Sequence, residues 1–384
     1  MAGARVLELL ERLVGFEVLS GADNRAMTGF IADHLAALGF TLHRLPHPDG
    51  NREGLFAALG PEGPGGVMLS AHVDVVPVAG QNWTRPPFRL STEGGRLYGR
   101  GTTDMKGYLA CMLALAEQAA SRPLREPLKL AISYDEEIGC QGMQRMIGAL
   151  ASGIGLPRLC LVGEPTQMGV AIGHKGKAAL RARFTGRAGH SALAPEFLNA
   201  LHLAADFVQA LRTEQAYWQA SGARDPAYAV PYTTLHAGRF WGGQALNIVP
   251  GSAELEFEYR HLPGDDPAEI EARLARAAQA IVQPYRGSFP EASVSLLVEN
   301  AYPGLDMAPD APAVGWLQGL GAGPVMKVPF GTEAGYFAAQ GIETLVCGPG
   351  SMAGQGHQPD EYIERSELAA CEALLGRLLE GMSA

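Results

Sequence analysis

Three apolar runs in the first half of the chain, 67–72, 128–134 and 158–162, end abruptly in charge. The first closes on His72-Val73-Asp74, the second on Asp135-Glu136-Glu137, the third on Gly163-Glu164-Pro165. Short continuous apolar runs of this kind read as strands covered on both faces. Helical apolar spacing surrounds them at 5–14, 25–38, about 105–120 and about 140–150, and Gly39 stands where a helix would stop. Two shorter strands are expected at 40–45 and 55–59. Strands alternating with helices predict an α/β fold, a mostly parallel sheet with helices on both faces. The carboxyl ends of its strands share one edge, and that edge is where open α/β sheets take ligands.

A second device feeds the same edge. The Gly-rich turn Gly99-Arg100-Gly101-Thr102-Thr103-Asp104 delivers an acid to the start of the third helix. With Gly354-Gln355-Gly356-His357 the set becomes His72, Asp74, Asp104, Glu136, Glu137, Glu164 and His357. Loop acids are ordinarily solvated, and His72-x-Asp74 alone suits a core histidine equally well. The adjacent carboxylates Glu136 and Glu137 repel each other, and a cation explains why a buried strand ends there. Imidazole with carboxylate suits Zn²⁺ and similar borderline divalent ions. An acid two residues from a ligand histidine suits a partner that fixes its tautomer. Two ions sharing one carboxylate would neutralise the group and acidify a water, leaving a spare glutamate as base.

The remaining bounds are broad. A length of 384 residues suggests about two domains. A net charge of −10 argues against nucleic-acid or anionic-membrane partners and is compatible with a cationic substrate. No apolar stretch of about 18 residues predicts a membrane span, and Glu8 and Glu11 interrupt any signal-peptide pattern at the start. Five scattered cysteines without C-x-x-C spacing suggest a reducing, cytoplasmic location. Near Gly173 the texture changes to the period-2 alternation of 178–184. A helix at about 196–213, strands at 232–240 and 253–260, a helix at 267–282 and a strand from 293 give the order β-α-β-β-α-β. That order predicts an inserted ferredoxin-like α+β domain at 175–292, with 1–174 and 293–384 forming the other domain. Helices at 312–320, 333–340 and 366–382 and a strand at 344–347 resume the α/β pattern.

Seven stretches, taken in order, resemble the di-metal aminoacylase and carboxypeptidase G family. They are Ser70–Pro77, Gly99–Gly107, Asp135–Gly139, Gly163-Glu164-Pro165, Gly189-His190-Ser191-Ala192, Gly331-Thr332-Glu333-Ala334, and Gly348-Pro349-Gly350 with His357-Gln358-Pro359-Asp360-Glu361. The resemblance implies a di-zinc exopeptidase-like catalytic domain. His72 and Glu164 would hold one ion, Glu137 and His357 the other, and Asp104 would bridge them. Zn²⁺ is the implied metal, with Co²⁺ as a substitute. Asp74 would orient His72, and Glu136 would be the general base. A cis peptide is implied after Asp104. His190 would stabilise the oxyanion, often from a partner subunit, in a homodimer formed through the inserted domain. Asn247 and Arg260 would grip a substrate carboxylate. Thr332, Glu333 and Gly348 would line the substrate site, with Glu333 either meeting a substrate amine or capping a helix.

The reaction so implied is hydrolysis of a linear amide, with removal of the acetyl group of N-acetyl-L-ornithine in arginine biosynthesis. Another N-acyl amino acid hydrolase, such as a succinyl-diaminopimelate desuccinylase, or a dipeptidase is the alternative. A relative that keeps the fold without catalysis is a third reading, which the intact ligand set and Glu136 oppose.

Overall fold

The computed structural model describes residues 2–383; residues 1 and 384, which close the expected domain limits, lie outside the described residues. The chain forms two compact units. One runs up to His174 and resumes at Leu305, and the other is Lys175–Gly304.

The larger unit is built on a sheet in the order Thr41–Pro46, Glu53–Leu59, Leu128–Ser133, Val67–His72, Leu159–Pro165, Glu343–Gly348, Val170–His174, Leu305–Asp306. Pairing is parallel among the four middle strands from Leu128–Ser133 to Glu343–Gly348 and antiparallel in the outer pairs of this order, while Val325–Lys327 adds a parallel pair to Val170–His174. Every residue of Val67–His72, Leu128–Ser133 and Leu159–Pro165 is buried, so both faces of these strands are covered. The helix Gly107–Ala120 is buried nearly all round, which explains its apolar Leu109–Ala116 run. It begins two residues later than expected, because a π-helical turn at Thr102–Lys106 comes first. The helix expected at 140–150 is broken into Gln141–Met146 and Leu150–Ile154 by a 3₁₀ turn. The strand Val170–His174 has no counterpart in the sequence reading.

The smaller unit has a four-stranded antiparallel sheet ordered Thr234–Gly242, Ser252–His261, Gly176–Thr185, Ser293–Tyr302. In chain order that is 2-3-1-4, the ferredoxin-like arrangement. Burial alternates along Gly176–Thr185 and Ser252–His261, and the buried set Leu180, Phe184, Leu255 and Phe257 packs with Leu203, Phe207, Ile270 and Leu274 of the helices Ala200–Ser221 and Pro267–Val282. The first helix starts four residues later than expected, where Asn199 caps it through Leu201 N–H. The unit's boundary falls at 304 rather than 292. The strand Ser293–Tyr302 pairs along its length with Gly176–Thr185 and so belongs to this sheet.

Candidate metal centre

His72 ends its strand, and its Nε2 lies 3.1 Å from Asp104 Oδ1 and 3.7 Å from Glu164 Oε1. His357 Nε2 lies 3.1 Å from the other oxygen, Asp104 Oδ2, and 2.8 Å from Glu137 Oε2. One carboxylate thus faces two imidazoles, one on each oxygen. Ligand atoms of His72, Glu136 and Glu164, and of His72, Asp104 and Glu137, fall within 4.8 Å of one another. The sequence therefore brings together Asp104, Glu136, Glu137, Glu164, His72 and His357. The turns that present them use left-handed backbone at Gly101 (φ 82°), Asp135 (φ 54°) and His357 (φ 63°). The Asp104–Met105 peptide is cis.

These groups fit divalent ions. Ligands about 2.0 Å from a tetrahedral centre stand about 3.3 Å apart, which is the spacing of both imidazole–carboxylate sets. Glu137 Oε1 and Glu164 Oε1 are buried with no hydrogen-bond partner among the described residues. Desolvation pushes the Glu164 carboxyl far up, with the Asp104 charge adding to it. Desolvation and Asp104 likewise push Glu137 up to about 7, against the pull of His357. The same acids hold His357 up, at about 10. A cluster this short of positive charge is what a cation satisfies. The side chain of His357 is 41% exposed and that of His72 1%, so the cluster opens on the His357 side.

Asp74 meets His72 mainly through its backbone. His72 Nδ1 lies 2.9 Å from the backbone carbonyl of Asp74 and 3.6 Å from its carboxylate. The carbonyl fixes the ring, leaving Nε2 as the ligand atom. The Asp74 carboxylate accepts from Ser20 Oγ (2.7 Å), Glu136 N (3.1 Å) and Glu137 N (3.3 Å), and so holds the turn bearing both glutamates. Burial pushes this carboxyl up, but His72 and those donors outweigh it and hold it low.

The three expected substrate contacts of this unit, Thr332, Glu333 and Gly348, are buried. Thr332 is fully buried, lies 3.1 Å from His174 Nε2 and caps the next helix through Ala334 N. Glu333, 1% exposed, is pushed up to about 7 by burial, against the pull of the Ser133 hydroxyl. Gly348 is buried where a Cβ would stand 2.0 Å from the Gly163 carbonyl; the close approach fixes the strand that carries Glu164.

In the smaller unit, His190 pairs with Ile248, and Ser191 N–H donates to Asn247 O at 3.0 Å, so His190 and Asn247 are neighbours. His190 Nδ1 accepts from Ala192 N–H, which leaves the proton of the neutral ring on exposed Nε2. Arg260 donates through Nε to Glu258 at 2.9 Å. Sequence reasoning missed Ser20, and also Cys140, whose thiol donates to Glu136 Oε1 at 3.3 Å. Neither carries a local signal, because each becomes relevant only through folding.

The chain matches the model of peptidase family M20/M25/M40 over residues 68–381. It is 32% identical to an acetylornithine deacetylase of Yersinia pestis, over 97% of this chain and 96% of that protein. A tripeptidase from Staphylococcus aureus superposes with a TM-score of 0.77 at 19% identity, covering 100% of this chain and 99% of that one. A metallo-carboxypeptidase from Sulfolobus solfataricus gives 0.75 at 17% identity, covering 98% and 99%. No helix among the described residues is long and apolar enough to cross a membrane.

Proposed function

The chain belongs to peptidase family M20/M25/M40, and from that premise we propose that it deacetylates N-acetyl-L-ornithine, giving acetate and L-ornithine for arginine biosynthesis. The observation that carries the chemistry is the Asp104 carboxylate shared between the Nε2 atoms of His72 and His357. The substrate rests on the relatives named acetylornithine deacetylase, which align over nearly the whole chain. In this reading His72 and Glu164 hold one divalent ion, Glu137 and His357 a second, and Asp104 both. Zn²⁺ is the proposed metal, with Co²⁺ as a substitute. Such ions would supply Lewis acidity, polarising the amide carbonyl and making water easier to deprotonate.

Glu136 is then the free carboxylate. Desolvation pushes it well above its ordinary value, against the pull of His72, so it binds a proton more readily than an exposed glutamate does. Glu136 takes the proton of the attacking water and holds it while the tetrahedral carbon forms. It then gives that proton to the departing amine as the C–N bond breaks. The Nε2–H of His190 suits the oxyanion, and we propose that it acts within a homodimer. The five free, buried cysteines suit a reducing cytoplasm.

Amine release by metal-stripped protein, with and without Zn²⁺ or Co²⁺, tests the proposal. The panel is N-acetyl-L-ornithine, N-acetyl-L-methionine, N-succinyl-diaminopimelate and a dipeptide. Metal-dependent turnover concentrated on N-acetyl-L-ornithine is expected. Turnover concentrated on another member replaces the substrate and keeps the chemistry, and none on any member sinks the reading.

A further inference from the structure

Glu361 lies four residues after His357, yet its side chain points to the other side of the cluster. Its Oε1 accepts from Thr103 N (2.9 Å) and Asp104 N (3.2 Å), and its Oε2 from Gly101 N (3.1 Å) and Arg100 Nη1 (2.6 Å). Arg100 and Glu361 side chains are each 1% exposed. Arg100 reaches back to the carbonyl of Gln358 at 3.4 Å and donates to Gln81 Oε1, while Gln81 Nε2 donates to the carbonyl of His357 at 3.0 Å. One carboxylate thus holds the backbone of the turn that aims Asp104, and its partner holds the loop that aims His357.

We propose that Glu361, with Arg100, is a positioning pair that locks the His357 loop to the Asp104 turn, so that the pocket of His357, Asp104 and Glu137 forms only while this pair is intact. The proposal rests on the reading that these three residues hold a divalent ion. A buried ion pair is a costly way to fasten two loops, since apolar packing of equal volume fastens them at least as well. What the carboxylate adds is direction: three N–H groups of one turn converge on it, and the Asp104 carboxylate is oriented as a result. His357 needs such a hold because its backbone sits in the left-handed region, at φ 63°. Asp104 also faces His72, so the other pocket feels the loss through that one carboxylate, whereas the His357 pocket loses both the aim of Asp104 and the hold on the His357 loop.

Glu361→Gln keeps the size of the side chain but turns one acceptor into an NH₂ facing donors. Calorimetric titration of metal-stripped protein with Co²⁺ alone, beside a thermal melt, reads the result. Wild type is expected to take two Co²⁺ per chain. The variant is expected to bind both more weakly, one of them at least about ten-fold more so than the other, as loss of an outer partner of a ligand does. Two wild-type affinities in the variant overturn the proposal. Equal weakening of both sites also overturns it, because that is general destabilisation. Should Glu361→Gln fail to fold, Arg100→Lys and Gln81→Ala are read the same way, and unequal weakening of the two sites is again required. Fewer than two Co²⁺ on wild type overturns the underlying metal reading, an outcome visible before any variant is made.

Discussion

On the small unit's sheet Arg181 meets Glu254, Glu256 and Glu299 with its side chain 25% exposed and theirs 24–34%. In the large unit Arg100 meets Glu361 with both side chains 1% exposed. The bond lengths are similar and the physics is not. Exposed pairs gain little, because water screens them and long side chains lose freedom. Buried pairs cost desolvation that only a full set of hydrogen bonds repays. The large unit nevertheless buries His72, Asp74, Asp104, Glu164, Glu333, Arg100 and Glu361. The small unit buries fewer, Lys175, His261 and Asp265, around an otherwise apolar cluster, and carries the Arg181 ladder on the other face of its sheet. The difference teaches where to look for function: in the unit whose core carries charge that folding alone does not explain.

The sharpest way to break this contrast is Glu136→Gln. Turnover should fall by about 10²–10⁴-fold while Co²⁺ content stays at the wild-type value, measured by elemental analysis beside steady-state rates. Near-wild-type turnover would remove Glu136 as the base. Next in size is the response to the ion itself. Adding Zn²⁺ to metal-stripped protein should raise the melting temperature, with a stabilisation of about 2.7 kcal/mol when free ion is at one hundred times its dissociation constant. An unchanged melt would mean that protons alone balance the buried acids.

A smaller effect belongs to Lys129, fully buried under the large unit's sheet. Its Nζ donates to the carbonyls of Gly63 and Gly155, each at 2.8 Å, and burial pushes it from 10.5 down to about 8. Between those two values the unfolded chain binds more protons than the folded one, so stability rises with pH across that window. Lys129→Met should flatten that rise in urea titrations taken between pH 8 and pH 10; a slope equal to wild type would show the lysine to be charged in the fold.

Much of this was legible from the chain alone. Strand Val67–His72 and helix Pro267–Val282 have the bounds their patterns predict, since burial on both faces and an Asp266-Pro267 start leave little choice. The gathering of His72, Asp104, Glu136, Glu137 and Glu164 followed from strand ends sharing one edge. The direction in which a side chain points did not follow. Thr332, Glu333 and Gly348 stand in motifs beside the site, and the structure adds what no motif shows: a hydrogen bond to Ala334 N, a buried carboxyl, a close backbone approach. Glu361 was in plain view within His357-Gln358-Pro359-Asp360-Glu361, but its partners lie about 260 residues away. Only the fold supplies that distance. The boundary at 304 was hidden for a similar reason, because an edge strand's membership is decided by pairing rather than by its own alternation.

The smallest expected effect tests the other side of the comparison. Arg181→Gln removes the hub of the small unit's charge ladder and leaves three glutamates near one another. Two cations stay in reach, Arg183 at 3.2 Å from Glu254 and Arg239 at 3.1 Å from Glu256. The glutamates can turn to water, and the buried face beneath them, Leu180, Ala182, Leu255 and Phe257, is untouched. The melting temperature should therefore drop only slightly at low salt, and the drop should vanish at about 1 M salt, where the screening length is about 3 Å. A large, salt-independent loss would show that this ladder is held out of water like the Arg100–Glu361 pair, and burial would then no longer separate the unit that carries the His72–His357 cluster from the one that does not.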